Sequence, residues 1–291
     1  MKTQITRAPS RRRRRRRGCL TRLVTTVLVL GLLVGWFWWQ QNGLSSETIT
    51  VSSAPDGFDG YRIAVVSDLH AKEFGEGNRV LLDYVRDLEP DLVAVVGDIL
   101  HEPDQMSMIP AVAKGLAAIA PTYYVTGNHE WAAGVVRELE PLLEQCGVTV
   151  LSNEYVMLER NGDRIALLGA EDSNGYADQK TPEELYGEIQ REAGDLCTIL
   201  LAHRNDRFDQ YAAAGYDLVI SGHAHGGIVR LPGTDGLFSH DLDLFPSYTA
   251  GLYEENGSVL FVTRGLGNSG PSFRVFNRPE IAVLTLRRAE G

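Results

Sequence analysis

Tyr61-Arg62-Ile63-Ala64-Val65-Val66-Ser67-Asp68-Leu69-His70 is an apolar run of strand character that stops at a polar cluster, and the chain repeats this design several times. Further short runs rich in Val and Ile occupy Leu92 to Val96, Thr122 to Val125, Arg164 to Leu168, Thr198 to Leu201 and Asp217 to Ile220. Their length and their β-branched content read as strands. Segments of helical character separate several of them: Asn78 to Leu88, Met106 to Ile119, Gly134 to Gln145, Pro182 to Glu192 and Asp206 to Ala214. Thr181 is placed as the N-cap of the fourth, with Glu184 positioned to complete a capping box. Strands alternating with helices predict an α/β fold. From Gly226 onward, Ile228 to Leu231, Tyr248 to Tyr253, Val259 to Thr263 and Ile281 to Leu286 follow one another without helices, so a second sheet is expected to be completed there.

Polar clusters follow several of the strands. In order they are Ser67-Asp68-Leu69-His70, Gly97-Asp98, Gly127-Asn128-His129-Glu130, Ala202-His203 and Gly222-His223-Ala224-His225. Ligands of α/β sheets gather outside the carboxyl ends of the strands, which is where these metal-ligand residue types would be presented. Any one cluster is a common accident, such as an Asp two residues before a His or a lone His after a strand. Five in a fixed order are not, and glycine beside the ligand positions in three of them permits tight backbone turns.

The order Asp-x-His, Gly-Asp, Gly-Asn-His-Glu, His, Gly-His-x-His, spanning Asp68 to His225, resembles the calcineurin-like metallophosphoesterase superfamily. That resemblance implies a four-layer αββα sandwich of two mixed sheets. It also implies one metal ion held by Asp68, His70, Asp98 and His225, and a second held by Asp98, Asn128, His203 and His223, with Asp98 bridging. By the same resemblance His129 would protonate the leaving oxygen or stabilise the transition state. The segments Arg264-Gly265-Leu266-Gly267 and Phe276-Asn277-Arg278-Pro279-Glu280, together with an N-terminal anchor, look like the bacterial membrane-anchored branch.

The chemistry of the residues agrees. Imidazoles and carboxylates suit Mn²⁺, Fe or Zn²⁺, whereas Ca²⁺ and Mg²⁺ prefer all-oxygen shells, so two divalent transition-metal ions are expected. Asp68 and Asp98 cancel only part of their charge and Asn128 is neutral, so net positive charge would remain to attract hydroxide and a phosphate oxyanion. The expected activity is hydrolysis of a phosphodiester, monoester or pyrophosphate without a covalent intermediate. Glu130 could orient His129 or be a solvated surface carboxylate, and His129 itself could be a hydrogen-bond partner of the ligands. Arg204 and Arg264 are candidate phosphate clamps, and each could equally be an ordinary salt-bridging residue. His101 could add a polar group at the mouth of the site, Trp131 an apolar surface beside it, and His240 is expected at the surface. The segment Gly97 to His101 lacks a further Asp that many relatives carry, and Arg204 stands where a Pro is common. Both departures bear on substrate contacts and neither removes a ligand.

Composition bounds the partners. Ten of the 28 Lys and Arg lie in residues 1–22, which contain no acid, leaving 18 against 38 Asp and Glu, so the body beyond Arg22 carries a formal charge near −20. So acidic a body argues against nucleic acid as a ligand, and a phosphate substrate therefore needs metal ions. No obligate protein partner is inferred. The uncharged run Leu23 to Trp39, ending in Trp36-Phe37-Trp38-Trp39, predicts a transmembrane signal anchor. With basic charge only on its N-terminal flank, the tail 1–22 is expected in the cytoplasm and residues 61–291, the phosphoesterase domain, outside it; residues 40–60 read as a linker holding one strand, Thr48 to Val51. The membrane is thus an expected partner, and a lipid-linked or cell-envelope phosphoester an attractive substrate. Two alternatives are a non-catalytic metal-binding scaffold, and a basic-tail lipid or nucleic-acid binder. Cys146 and Cys197 read as buried small hydrophobes, with a disulfide between them left open.

Overall fold

A computed structural model describes residues 11–231, 233–238, 244–268 and 273–288, without the side chains of residues 11–18; His240 and residues 1–10 lie outside the described residues. Helix α1 (Arg11–Asn42) leads into β1 (Ser45–Ala54). The first half continues through β2 (Arg62–Val66), α2 (Arg79–Asp87), β3 (Leu92–Val96), α3 (Ile109–Ala117), β4 (Thr122–Val125), α4 (Asn128–Ala133), α5 (Val136–Gln145) and β5 (Thr149–Val150). The second half comprises β6 (Glu154–Arg160), β7 (Asp163–Ala170), α6 (Pro182–Ala193), β8 (Cys197–Ala202), α7 (Phe208–Ala214), β9 (Leu218–Ser221), β10 (Gly251–Glu255), β11 (Ser258–Val262) and β12 (Glu280–Arg288).

The strands form two six-stranded mixed sheets, ordered β1-β12-β2-β3-β4-β5 and β10-β11-β9-β8-β7-β6. Ile63 and Val65 of β2, with Leu92, Ala94 and Val96 of β3, face Ile165, Leu167, Ile199, Leu201 and Ile220 of the other sheet. The alternate residues Ala64, Val66, Val93 and Val95 face α2, α3 and α5, while Ala166, Leu168, Leu200 and Val219 face α6 and α7. Burial on both faces is why these strands read as unbroken apolar runs instead of alternating ones. The result is the expected αββα sandwich. The capping box of α6 is also present, with Glu184 N donating to Thr181 Oγ1 at 3.2 Å and Thr181 N to Glu184 Oε2 at 2.9 Å.

Several expectations change. Ile228 to Leu231 is not a strand: Val229 and Arg230 make only isolated bridges, to Val275 and Gly236. The strand expected at Thr48 to Val51 is the longer β1, parallel to β12, so residues 45–54 belong to the sheet and not to a linker. Its full length is hard to read because only one face is apolar and, lying at the sheet edge, it buries just Val51 and Ala54 fully. Strand β6 was not anticipated. It is a half-exposed edge strand joined to β7 by Asn161-Gly162, both with positive φ (52° and 90°), as a tight hairpin requires. Cys146 packs on the helix side of the first sheet and Cys197 against the layer between the sheets; both are free thiols, and the disulfide left open is not formed.

From Cys19 to Asn42, α1 is a 24-residue span of mean hydropathy 1.9 with none of its most apolar window buried, long enough to cross a bilayer and in support of membrane anchoring. Ser45 pairs with Glu280 at the start of β12, and β12 runs antiparallel to β2. The helix therefore joins the domain at the rim where β2, β3 and β4 end. Because β1 covers β12, a fragment of residues 56–291 is expected to unfold about 10 °C below one of residues 45–291, judged from the apolar burial of β1; equal midpoints in circular-dichroism melts would contradict this.

Candidate metal centre

Three of the five polar clusters leave their strands by strained turns. Asp68, His70, Asp98, His223 and His225 all have positive φ, between 46° and 66°, a region that costs side-chain-bearing residues energy. Five such residues at positions expected to bind metal mean that the surroundings over-determine the loops in order to aim these side chains. At Gly97 (φ 73°) glycine is obligatory: a Cβ there would lie 2.7 Å from Gly127 Cα and 2.8 Å from His203 Nδ1.

The turns bring the expected ligands together. Asp68, His70 and His225 form one group of convergent donors, and Asp98, His203 and His223 another. Between them Asp98 Oδ2 lies 3.2 Å from His203 Nε2, 3.7 Å from His70 Nε2 and 3.9 Å from His129 Nε2. Asn128 Oδ1 lies 3.2 Å from His203 Nε2, and His70 and His225 bring their Nε2 atoms within 3.3 Å. His225 Nε2 is 3.6 Å from Asp68 Oδ1. Asp68, Asp98 and the four histidines expected as ligands, His70, His203, His223 and His225, are all buried.

This donor set fits divalent cations. His203 Nδ1 lies 2.9 Å from the carbonyl of Val96, which can only accept, so Nδ1 carries the proton and the Nε2 lone pair points at Asp98 and Asn128 oxygens. Acceptors facing one another in a buried site demand a positive charge between them. Without metal, protonation supplies it. Burial opposes charge on His203, but Asp98 outweighs burial and raises His203 to about 10. Burial likewise works to raise Asp98, while His203, His70 and His129 hold its carboxyl below the usual range. Burial pushes Asp68 up to about 6 and His70 down to about 3. The cluster strains against its own desolvation, and metal ions would relieve this by taking both carboxylates and the neutral imidazoles as ligands.

Neighbouring groups sort differently from expectation. Glu130 does not face solvent: it is fully buried and accepts from the backbone N–H groups of Gly127 (2.8 Å), Asp98 (3.0 Å), Ile99 (2.7 Å) and Leu100 (3.3 Å). It thereby clamps the loops carrying Asp98 and Asn128 to each other. Burial lifts its carboxyl to about 7, with the N–H groups of Gly127 and Asp98 pulling the other way. Arg204 lies at the site, its Nε donating to Asp172 at 2.8 Å and its Nη1 3.3 Å from His223 Nε2. Arg264 is engaged as the salt-bridging alternative has it, its guanidinium held by both Nε (2.9 Å) and Nη2 on Glu280 Oε1. His101 reaches the mouth, 4.5 Å from the His129 ring and 5.8 Å from that of His70, centroid to centroid.

Three supporting residues were missed. Asp172 is the buried anchor of Arg204. Arg274 is wholly buried behind Asp68, donating to the carbonyls of Arg264 (2.8 Å) and Gly267 and to Asn268 Oδ1 (2.7 Å). Asn277 donates to the carbonyls of His225 (2.8 Å) and Ile228 (3.1 Å). Only Asn277 had a signal, in the segment Phe276 to Glu280.

Residues 61–227 match the profile of the calcineurin-like phosphoesterases. The chain belongs to this family. It is 30 % identical over 251 residues to the Bacillus subtilis metallophosphoesterase YkuE, covering 84 % of this chain and 85 % of that one. A Danio rerio transmembrane protein with a metallophosphoesterase domain is 30 % identical over 257 residues, 83 % of this chain and 56 % of that longer protein. The Escherichia coli phosphodiesterase YaeI is 29 % identical over 237 residues, 78 % of this chain and 82 % of its own length. Membership and geometry together make the paired His/Asp clusters a dinuclear metal-binding active site of the metallophosphoesterase type, and the chain a hydrolase.

Replacing Glu130 by Ala removes none of the expected ligands yet unclamps two of their loops, so calorimetric titration with Mn²⁺ should find affinity weakened about 10- to 100-fold. Unchanged affinity would mean that the loops hold their shape without it.

Proposed function

We propose that the chain hydrolyses phosphodiesters, with monoesters or pyrophosphates as secondary substrates, at a pair of divalent transition-metal ions, from a domain held outside the cytoplasm by α1. The observation that carries this reading is Asp98 Oδ2 among the Nε2 atoms of His70, His129 and His203, 3.2–3.9 Å away, the setting of a bridging carboxylate. Asp68, His70 and His225 would complete one site, and Asn128, His203 and His223 the other. The mixed imidazole and carboxylate set favours Mn²⁺, Fe or Zn²⁺. When bound, such a pair lowers the pKa of water and polarises the phosphoryl oxygens for in-line attack.

The chain's own groups do the rest. His129 sits over Asp98 with its backbone N–H on Asp98 Oδ1 at 2.9 Å and its ring one-fifth exposed, placed to give a proton to the departing oxygen at the mouth. Arg204 is fixed by Asp172 through Nε, leaving the side of the guanidinium beside His223 to bind a non-bridging phosphoryl oxygen. Preference for diesters draws on the relative named a phosphodiesterase. The outward orientation draws on the basic residues confined to the N-terminal flank of the span. Tethering makes a lipid-linked or cell-envelope phosphoester the substrate class of first choice.

The test is turnover of bis-p-nitrophenyl phosphate and p-nitrophenyl phosphate by the full chain in detergent, stripped of metal and then supplied with Mn²⁺. Activity should appear only with Mn²⁺ and vanish in Asp98→Ala, and His129→Ala should lower kcat about 10²- to 10⁴-fold while still binding metal. Turnover indifferent to chelation, or unaffected by loss of His129, would overturn the reading.

A further inference from the structure

Five of the domain's exposed large apolar side chains, Leu231, Leu244, Phe245, Phe273 and Phe276, lie on two chain segments that are bridged to each other. Val229 pairs with Val275, and Arg230 N donates to Val275 O at 3.0 Å, which sets Leu231 and Phe276 on neighbouring strands of backbone. Leu237 N donates to Val229 O at 2.8 Å and Phe245 N to Leu237 O at 3.0 Å, which brings Leu244 and Phe245 into the same patch. Phe245 is 74 % exposed and Phe276 47 %, more than scattered surface apolar residues of a soluble domain would explain.

The patch is continuous with the anchor. Gln41, near the end of α1, exchanges two 2.7 Å hydrogen bonds with the backbone of Arg274, and Arg278 Nε donates to Gly43 O at 3.0 Å. The Arg278 guanidinium lies 4.1 Å from the centre of the Trp39 ring. Trp36 meets Phe276 edge to face at 5.4 Å. Trp36 lies about 9 Å along the helix axis before Asn42, among the aromatic residues that favour the headgroup level. Phe276 touches it and therefore shares its depth. The helix joins the domain at the rim of the metal centre, where Asn277, next to Phe276, holds the carbonyl of His225.

We propose that this patch is a lipid-inserting collar: Leu231, Leu244, Phe245, Phe273 and Phe276 seat the domain on the bilayer that α1 spans and turn the rim of the metal centre toward the headgroup layer. Apolar contact is the suitable means, since a body of formal charge near −20 gains nothing from an anionic leaflet. The collar goes beyond the hydrolase reading and stands or falls without it.

The test uses the full chain in phosphatidylcholine vesicles, with Cys19→Ser to remove the exposed anchor thiol. An environment-sensitive fluorophore is placed at Phe245→Cys, Phe273→Cys or Glu159→Cys, the last near the β6–β7 turn at the opposite end of the sheet, and the signal of the unsubstituted parent, which reports any labelling of Cys197, is subtracted. Emission from positions 245 and 273 should shift to the blue and be quenched about twofold by nitroxide-bearing lipids, with position 159 unaffected. Solvent-like, unquenched emission at 245 or 273 would overturn the proposal. So would a blue shift without lipid quenching, which would mean cover by a second copy or another protein. Unfolding midpoints matching the parent establish that the labels report on folded protein, and Leu244→Cys replaces either variant that fails this check.

Discussion

Asp98 is 1 % exposed, yet among the described residues its carboxylate forms no ion pair with Lys or Arg; what surrounds it are imidazoles from both halves of the sandwich. A buried carboxylate of that kind is costly unless positive charge is brought to it, so the loops at the rim are built around satisfying it. His203 comes from the second sheet to within 3.2 Å of Oδ2, while the backbone of His129 comes from the first sheet to Oδ1. Glu130 then binds the N–H groups of Asp98, Ile99 and Leu100 and ties the loop to Gly127. The left-handed turns at Asp68, His70, His223 and His225 are held in place by this same convergence. Stability near the rim is thus given up for a cluster that only cations complete.

Much of this is legible in the sequence. Strands buried on both faces announce themselves as continuous Val and Ile runs, and their carboxyl ends carried the ligand residue types in order. Strand β1 and strand β6 were harder, because edge strands bury one face and their composition blends into loop. The roles of Glu130, Asp172 and Arg274 were not legible at all. Each is a charged residue whose partners, backbone N–H and C=O groups or an arginine thirty or so positions away, depend on tertiary contacts without a periodic signature. The two readings of Arg264 stayed open in the sequence for the same reason: its neighbours said nothing of Glu280, which pairs with its guanidinium.

The anchor and the metal centre are mechanically one structure. Residues 264–268 follow β11, and residues 273–280 set buried Arg274 behind Asp68, hold His225 through Asn277 and meet the end of α1 at Gln41. The first strand after the helix enters the sheet beside Glu280, itself the partner of Arg264. A domain on a loose tether would need none of these bonds. Their presence places the metal centre's rim and the domain-proximal end of the helix on the same side of the molecule.

The account rests on two metal ions sharing Asp98. The most direct measurement is a crystal structure of the Mn²⁺-loaded protein with anomalous scattering recorded at the manganese edge. The account predicts two anomalous peaks per chain, one on each side of the Asp98 carboxylate, one reached by His70 and His225 and the other by His203 and His223. A single peak, or peaks that leave Asp98 uncoordinated, would contradict it.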